Sequence, residues 1–541
     1  MTAGSLQTSP RSFHDDQQVM RSMDGSATIY SADQSNFMVI DSSKGKEPRI
    51  IRIDDIYAVF RNGAELRIES CPRKVPRKLS SRNSISKPKN PYQRTSLSST
   101  VELSTEEEAT EWHSYIKKQI TPGYSRPLSI NGPNRKLLVV VNPIGGKRKG
   151  EEIYHEILKP MIMDNGTDHE VIITTGPGHA ERIAETFDLN TIGAVAIVGG
   201  DGLFGEFING MNNRPDRLVA HSIPLGVVPA GSSNCLACSV GLRQPLAAAF
   251  AIVKGKVKPL DVLKVTLAGE DSINPTPRVI LSVCGVSYGF ISEVNTHASK
   301  WRRLFGPARY AICGFRTLFA SPMEYHVDCR FLPPIDDPDP QFDKTECGPD
   351  CELCEQAAHV KRKSGMLDDP VSPMSPEPGY IGRSLEMADE APKVDDGWVD
   401  SSISMEPRRK SLEPKALSVD NSTMLLFSVT NLSIRQSQNY TVWNPNSHMA
   451  SGFMDLVLMP VISRVQLLKF YSKYNRGGSY HKEDANVFSI VKARSVEMRI
   501  TNFDALPAWE KQIKIAIDGE THPLQPLRVD TLHGFLNFIC S

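Results

Sequence analysis

The sequence predicts a multidomain α/β + β chain: a small mixed domain at the N-terminus, a doubly wound α/β lobe, and a β-sandwich lobe interrupted by a disordered insert. Three observations carry that expectation. Between residues 137 and 230 short uninterrupted apolar runs (LLVVVNP, VIIT, AVAIVGG, LGVVPAG) alternate with amphipathic stretches such as EEIYHEILKPMIM and GHAERIAETF. That alternation belongs to a parallel sheet with helices on both faces. From about residue 258 the pattern turns strand-rich, with VLKVTL, RVILSVCGVSYGF, YHVDCRFLP, MLLFSVTNLSI, MDLVLMP, FSIVKARSVEMRI and QIKIAID. Finally, 541 residues with 40% hydrophobic content are too many for one ordinary domain and enough to fill several cores.

Residues 1–22 are polar and are expected to be disordered. Residues 23–120 hold short β-like runs (ATIYS, NFMVID, RIIRI, YAVF, AELRIES) followed by VELSTEEEATEWHSYIKKQI. The latter reads as a helix, capped by Ser104, with acids in its first turn and Lys117-Lys118 in its last. Strands closed by one Trp-bearing helix resemble a pleckstrin-homology domain; any small α+β domain is the plainer reading. Between Glu69 and Glu102 no acidic residue interrupts Arg73, Lys74, Arg77, Lys78, Arg82, Lys87, Lys89 and Arg94. Such a block suits an anionic membrane surface, at about 1 kcal/mol per basic residue near it, or a solvated loop phosphorylated at Ser80.

Residues 135–255 form the α/β lobe. Three glycine loops follow its strands: Asn142-Pro143-Ile144-Gly145-Gly146-Lys147, Gly199-Gly200-Asp201-Gly202 and Pro229-Ala230-Gly231-Ser232-Ser233-Asn234. Ligands of open α/β sheets bind outside the carboxyl ends of the strands. Glycine lets backbone approach a polyphosphate, and helix N-termini supply N–H donors. Gly200-Asp201-Gly202-Leu203-Phe204-Gly205 matches the dinucleotide fingerprint G-x-G-x-x-G, but it follows the third strand rather than the first, and no acid closes the next strand. Asp201 would repel a pyrophosphate, whereas phosphoryl transfer to a hydroxyl needs a proton acceptor there. An ordinary turn aspartate is the plain alternative. Lys147 has no Ser/Thr after it, so the first loop is not a Walker A sequence.

Residues 256–335 and 421–541 form the β-sandwich lobe, with the Pro/Ser-rich insert at 336–420 between them. The insert holds Cys347-x3-Cys351-x2-Cys354, with His359 five residues on, a zinc-like Cys3His spacing or three reduced thiols in a flexible segment. Val465–Arg476 is basic and amphipathic, suited to calmodulin or a membrane but more often a packed helix. A formal net charge of +0 argues against a nucleic-acid partner. With no basic-apolar leader and no apolar run near 18 residues, the chain is expected to be cytoplasmic and peripherally membrane-associated.

The GGDG-x3-E stretch from Gly199 to Glu206, with the flanking loops, resembles the diacylglycerol/sphingosine kinase-like lipid kinases. The resemblance runs from about Leu137 to Phe319 and resumes at Met454-Asp455-Leu456 and Ile517-Asp518-Gly519-Glu520. It implies a two-lobed kinase using ATP and Mg2+, with Asp201 as the catalytic carboxylate and Gly199, Gly200 and Gly202 against the substrate. It also implies nucleotide contacts at the first loop, Thr174, Gly178, Glu206, Gly231, Ser232 and Ser233. Arg303 and Arg309 would lie near the phosphates, and Asp518, Gly519 and Glu520 would close the site. A hairpin turn at Asp518-Gly519 and surface cations at the arginines are the plainer readings.

Within that family two features lean towards members that phosphorylate ceramide. The Cys347 cluster resembles theirs, as does the pleckstrin-homology-like start. In Gly289-Phe290-Ile291-Ser292-Glu293-Val294-Asn295, Glu293 and Asn295 stand where sphingosine kinases carry two aspartates. A neutral amide substrate favours Asn295 over a carboxylate left unpaired, and Glu293 would bind a lipid hydroxyl. Sphingosine, diacylglycerol and NAD kinase activities, and an inactive lipid-binding adaptor, are the alternatives.

Overall fold

The computed structural model describes residues 18–21, 27–31, 37–41, 49–73, 93–103, 105–125, 134–268, 277–301, 309–320, 325–332, 347–348, 351–354, 356, 417–433, 444, 446–475, 489–499, 508 and 510–540. The expectations for Arg303 and His359, most of the insert, and most of the basic block lie outside these residues. The chain divides into two compact units: Met1–Ser81, Asn90–Pro122 and Pro160–Thr167 make the first, and Arg82–Lys89, Gly123–Lys159 and Asp168–Ser541 the second.

In the first unit β1 (Gln18–Arg21), β2 (Ala27–Ser31), β3 (Phe37–Asp41) and β4 (Arg49–Arg52) form one antiparallel meander. A second meander contains β5 (Ile56–Asn62), β6 (Glu65–Ser70) and β7 (Leu97–Glu102), followed by α1 (Glu106–Ile120). β1 lies inside the stretch expected to be disordered. An edge strand needs only a backbone partner, and β2 supplies it from Gln18↔Ser31 to Arg21↔Thr28, so polar composition did not reveal it. The cap of α1 is Thr105 rather than Ser104: its hydroxyl oxygen accepts the Glu108 amide at 3.2 Å. Ala109, Trp112, Ile116 and Ile120 recur at helical spacing and bury against Val59, Leu66, Ile68 and Val101. Arg94, counted above with the membrane-facing cations, is instead buried, pairing with Asp55 at 2.9 Å and donating to the Cys71 carbonyl. That ion pair ties Arg94 to the domain and removes it from the surface.

The α/β part of the second unit begins with β8 (Lys136–Val141), α2 (Gly150–Ile153) and a π-helical turn; the chain continues into α3 (Lys159–Asn165), which from Pro160 belongs to the first unit. Next come β9 (His169–Ile173), α4 (His179–Thr186), β10 (Ile192–Gly199), α5 (Asp201–Asn212) and α6 (Arg217–Ser222). The lobe ends with β11 (Leu225–Pro229), α7 (Cys235–Ser239) and α8 (Pro245–Lys254). The strands are parallel in the order β9-β8-β10-β11. Every residue of β10 and β11 is buried, as strands covered on both faces require. The register pairs Val141 with both Ile173 and Val198, and Gly199 with Pro229. The chain therefore leaves the sheet at Asn142, Thr174, Gly200 and Ala230 along one carboxyl edge, as the sequence predicts.

The β-rich part contains β12 (Val257–Leu267), β13 (Arg278–Ser282), β14 (Gly285–Gly289), α9 (Phe290–Lys300), α10 (Arg309–Ala320), β15 (Tyr325–Leu332) and β16 (Leu417–Thr430). After the insert's return come β17 (Met454–Pro460), α11 (Arg464–Asn475), β18 (Ser489–Ala493), β19 (Ser495–Arg499), β20 (Lys514–Ile517), β21 (Glu520–Pro523) and β22 (Leu527–Ile539). Strand β16 starts four residues before the expected boundary at 421. The expectation of a self-contained sandwich needs correction. β22 pairs antiparallel with β12 and β19, and its far end pairs parallel with β11 through Leu225↔Phe538. One mixed sheet therefore runs through both lobes. A 13-residue strand spans about 40 Å, long enough to serve both.

The described part of the Val465–Arg476 segment, as far as Asn475, lies in helix α11. Leu467 is buried, and Leu468 and Phe470 pack on the β-lobe core, while Val465 at the start of the helix is exposed. Among the described residues no helix is long and apolar enough to cross a membrane.

One buried histidine makes stability depend on pH. His221 of α6 is 6% exposed, with its ring 4.4 Å from that of Phe535. Burial, helped by Arg217, lowers its pKa from 6.5 to about 4. The unfolded chain therefore takes up this proton first. The stabilisation is complete above pH 6.5 and is lost as pH falls towards 4, a difference of about 3 kcal/mol. Urea midpoints recorded from pH 7.5 to 4.5 should fall less steeply for His221→Phe than for wild type; parallel slopes would show the imidazole is not the responsible group.

Candidate functional site: the carboxyl edge of the parallel sheet

The three glycine loops meet backbone to backbone. At Gly146, with φ +54°, an added Cβ would fall 2.5 Å from the Ala230 carbonyl oxygen and 2.6 Å from the Gly231 carbonyl carbon. At Gly231 it would fall 2.4 Å from the Cα of Gly200. The first and third loops each also have their own amide brace. Asn142 Oδ1 accepts the amides of Ile144 (3.0 Å) and Gly145 (2.9 Å), closing the first loop as an Asx turn. Asn234, with φ +52°, accepts the Gly231 amide at 2.7 Å and donates to the Gly231 carbonyl at 3.1 Å. The sequence reading quoted Asn234 but gave it no role; its structural signal is an amide side chain three residues past a glycine.

Asp201 opens α5, partly buried at the junction of the loops. Its Oδ2 accepts the Cys235 amide and its Oδ1 the Leu236 amide, both at 2.9 Å, so the first turn of α7 holds the carboxylate. Burial pushes its pKa up, against the two amide bonds, and the nearby charge of Asp518 adds to the rise. A carboxylate raised by burial and a like charge is a stronger proton acceptor than an ordinary aspartate.

Asp518 and Gly519 form the two-residue loop of the β20–β21 hairpin, with φ +48° and +84°. The plainer hairpin reading of the geometry is therefore correct. The Asp518 carboxylate also accepts the Ser282 hydroxyl at 2.6 Å and the amides of Val283 (2.9 Å), Cys284 (2.9 Å) and Gly285 (3.0 Å). It thus fastens the β13–β14 turn, and four donors occupy most of its accepting capacity. Burial raises its pKa against those bonds. Cys284 lies between the two aspartates: its thiol is held well above the usual value by hydrogen bonding with Cys235, by burial, and by the charges of Asp201 and Asp518. Helix α5 is stitched to this turn by Asn209, which accepts the Leu281 amide at 2.9 Å and donates to the Leu281 carbonyl at 3.0 Å. The sequence reading missed Asn209; a helical Asn carries no motif.

Glu206 sits one turn beyond Gly202 on α5. Its Oε2 accepts the amide of Gly178, which has φ +73° and precedes α4, at 3.1 Å. Burial raises its pKa, opposed by the Gly178 bond and reinforced by Glu520. Glu520, at the start of β21, is exposed and lies 3.5 Å from where a Gly202 Cβ would stand. Asp201 thus lies within reach of the charge of Asp518, and Glu206 within reach of that of Glu520. Thr174 is buried at the end of β9, and Ser232 and Ser233 are partly exposed. Lys147 and Ile144 are exposed on the first loop, with Pro143 partly so. Carboxylate oxygens are the ligands a hard divalent cation takes, and of these four carboxyl groups Asp518 is the one occupied by the turn.

Other expected site residues have different surroundings. Arg309 begins α10, buried, with its guanidinium 4.4 Å over the Tyr310 ring and donating to the Tyr310 hydroxyl at 3.0 Å. Glu293 on α9 accepts the Tyr325 hydroxyl at 2.7 Å and stands 3.5 Å from His297. Asn295, also on α9, is partly exposed. The three cysteines do come together, and the histidine beside them is His448, from the loop before β17. Its Nδ1 is 3.2 Å from Cys351 Sγ and 3.8 Å from Cys354 Sγ. Sequence proximity pointed to His359, because the separation of 94 positions from Cys354 to His448 hides the pairing.

Residues 136–265 match the diacylglycerol kinase catalytic domain. Sphingoid long-chain bases kinase 1 of Arabidopsis thaliana is 36% identical over 200 residues, covering 37% of this chain and 25% of that protein. The chain thus spans about a quarter of that relative's length. Sphingosine kinase B of Dictyostelium discoideum is 24% identical across 83% of this chain and 72% of its own. Ceramide kinase of Mus musculus is 26% identical across 68% of this chain and 62% of its own. The three glycine loops and Asp201 all fall within the segment that matches the diacylglycerol kinase catalytic domain.

Proposed function

We propose that the protein is an ATP- and Mg2+-dependent lipid kinase that phosphorylates the primary hydroxyl of ceramide. The observation that carries the reaction type is Asp201, a carboxyl of raised pKa fixed by two amides where three glycine loops converge. In this reading ATP lies along the loops, and their N–H groups with Lys147 face its phosphates. Asp201 accepts the hydroxyl proton as that oxygen attacks the γ-phosphate. Glu206 and Glu520 would hold the divalent cation, which supplies charge neutralisation when bound. Asp518 keeps the β13–β14 turn beside Asp201. Arg309, as well as Arg303, belongs to this reading through the family resemblance only.

The lipid class has support from the surface. Ile312, Phe315 and Phe319 recur at i, i+3 and i+7 on α10 and are 43%, 52% and 62% exposed. The N-terminal end of α11 joins them: Arg464 donates to the Leu318 carbonyl, and the neighbouring Val461 and Val465 are also exposed. Such a contiguous apolar face suits acyl chains or a bilayer better than a soluble nucleotide acceptor. It disfavours NAD as acceptor. The basic block and the strands-plus-helix N-terminal unit, read as pleckstrin-homology-like, would add attraction to anionic lipid. Calmodulin is not part of this proposal, because Leu467, Leu468 and Phe470 of α11 pack within the fold.

Asn295 supports ceramide over sphingosine, since it offers an amide rather than a charge to an acylated nitrogen; Glu293, on another side of α9 and accepting the Tyr325 hydroxyl, is the residue assigned to a lipid hydroxyl. Purified protein should be assayed with Mg-ATP against ceramide, sphingosine, diacylglycerol and NAD. Ceramide turnover at least about 10-fold above the others is expected, the scale of about 1.4 kcal/mol of discrimination. Preference for sphingosine would refute the acceptor, and turnover of none would favour the inactive adaptor.

A further inference from the structure

The geometry points to a structural zinc site formed by Cys347, Cys351, Cys354 and His448. This does not depend on the kinase reading. The four ligand atoms lie within 4.8 Å of one another, and all four residues are buried, none more than 6% exposed. Around a tetrahedral zinc, Zn–S bonds of about 2.3 Å put two sulfurs about 3.8 Å apart, and a sulfur and an imidazole nitrogen about 3.6 Å apart. Here Cys347 and Cys354 are separated by 3.8 Å, and the two sulfur–His448 distances are 3.2 and 3.8 Å. Since a disulfide holds its sulfurs about 2.0 Å apart, these spacings are those of thiolates around a common centre.

Four protein ligands leave no position open, which is the pattern of a structural rather than a catalytic zinc. The placement says what such an ion would fasten. Cys347–Cys354 belong to the excursion between Leu332, the end of β15, and Leu417, the start of β16. His448 belongs to the loop leading into β17. That loop is itself anchored: Ser447 bonds to Asp455, and Lys492 pairs with Asp455 at 2.7 Å and donates to the Asn446 carbonyl at 3.1 Å. On its other side the Asp261 amide donates to the Met449 carbonyl at 2.8 Å. The ligand histidine is thus held on a rigid support, and zinc would clamp the insert's first turn onto it. Binding would release the thiol protons and stabilise the fold by linkage.

The full-length protein, expressed with zinc and purified without chelator, should contain one zinc per chain. Replacement by cobalt should give the visible d–d absorption of a tetrahedral, thiolate-rich centre. His448→Ala should lose the zinc or shift that spectrum, His448→Cys should keep zinc as an all-sulfur site, and His359→Ala should change neither. Melting temperature should fall on zinc removal in wild type and not in Cys351→Ser/Cys354→Ser. If His448→Ala does not fold, His448→Cys decides alone, since loss of metal from it overturns the assignment. So would absence of zinc with all cysteines open to alkylation, or zinc and spectrum unchanged in His448→Ala but lost in His359→Ala.

Discussion

Asp201→Asn lowers ATP-dependent lipid phosphorylation by at least about 10³-fold, within the range that proton-transfer catalysis contributes, while the protein stays folded. The substitution keeps the side chain's shape and removes its ability to take a proton from an attacking hydroxyl. It also has a structural cost that geometry makes visible. Both Asp201 oxygens accept amides, from Cys235 and Leu236; an Asn must turn its NH2 towards one of them, setting donor against donor. That costs about 1–3 kcal/mol, so a lower melting temperature with retained cooperativity is expected. Asp201→Glu separates charge from position: it keeps a carboxylate but moves it away from the α7 amides, and activity should remain low. In wild type, the rate should fall on acidification through a pH above 3.8, since burial raises this carboxyl and only its ionised form accepts the proton. The measurements are initial rates against pH, with circular dichroism to confirm folding. Asp201→Asn activity within about tenfold of wild type would remove Asp201 from the catalytic role.

What the sequence revealed and what it hid divide along physical lines. β8, β10 and β11 were legible because strands covered on both faces need unbroken apolar runs, and glycines at their ends mark where backbone must come close. The Asp518-Gly519 hairpin was legible because two successive left-handed residues favour such a pair. The anchoring of the β13–β14 turn by that same aspartate was not, since its partners lie more than two hundred residues earlier. Asn209, Asn234 and His448 escaped for a related reason. Asn209 and His448 act through contacts fixed by tertiary folding, Asn234 through a local loop bond to Gly231, and none belongs to a periodic pattern. Strand β1 escaped because pairing with β2 needs only backbone groups, which composition does not mark. Joining the two lobes into one sheet depends on the length of β22 and on which strand its end meets, and alternation within a strand does not name a partner.

Two glycine substitutions have opposite expected outcomes, and the contrast tests the reading of the central loop. In a dinucleotide fingerprint the third glycine permits close helix–strand packing, so Gly205→Ala would be damaging. Here an added Cβ at Gly205 meets nothing within 4 Å outside its own helix backbone. Alanine should therefore be tolerated and favour α5 by up to about 1 kcal/mol. At Gly231 the Cβ would stand 2.4 Å from the Gly200 Cα, 3.0 Å from the Gly200 nitrogen and 2.9 Å from Asn234 Oδ1. Backbone cannot swing aside like a side chain, so the second and third loops must part by about 1 Å. Displacement on that scale costs on the order of 10²-fold in rate, and overpacking adds about 1–3 kcal/mol of destabilisation. Gly231→Ala should thus lose activity and nucleotide affinity together, while Gly205→Ala retains both and melts no lower than wild type. Lipid phosphorylation rates, nucleotide titrations and thermal melts of the pair check this. Equal damage from the two would revive the dinucleotide geometry, and an unaffected Gly231→Ala would mean that contact between the second and third loops is not what shapes the phosphate site.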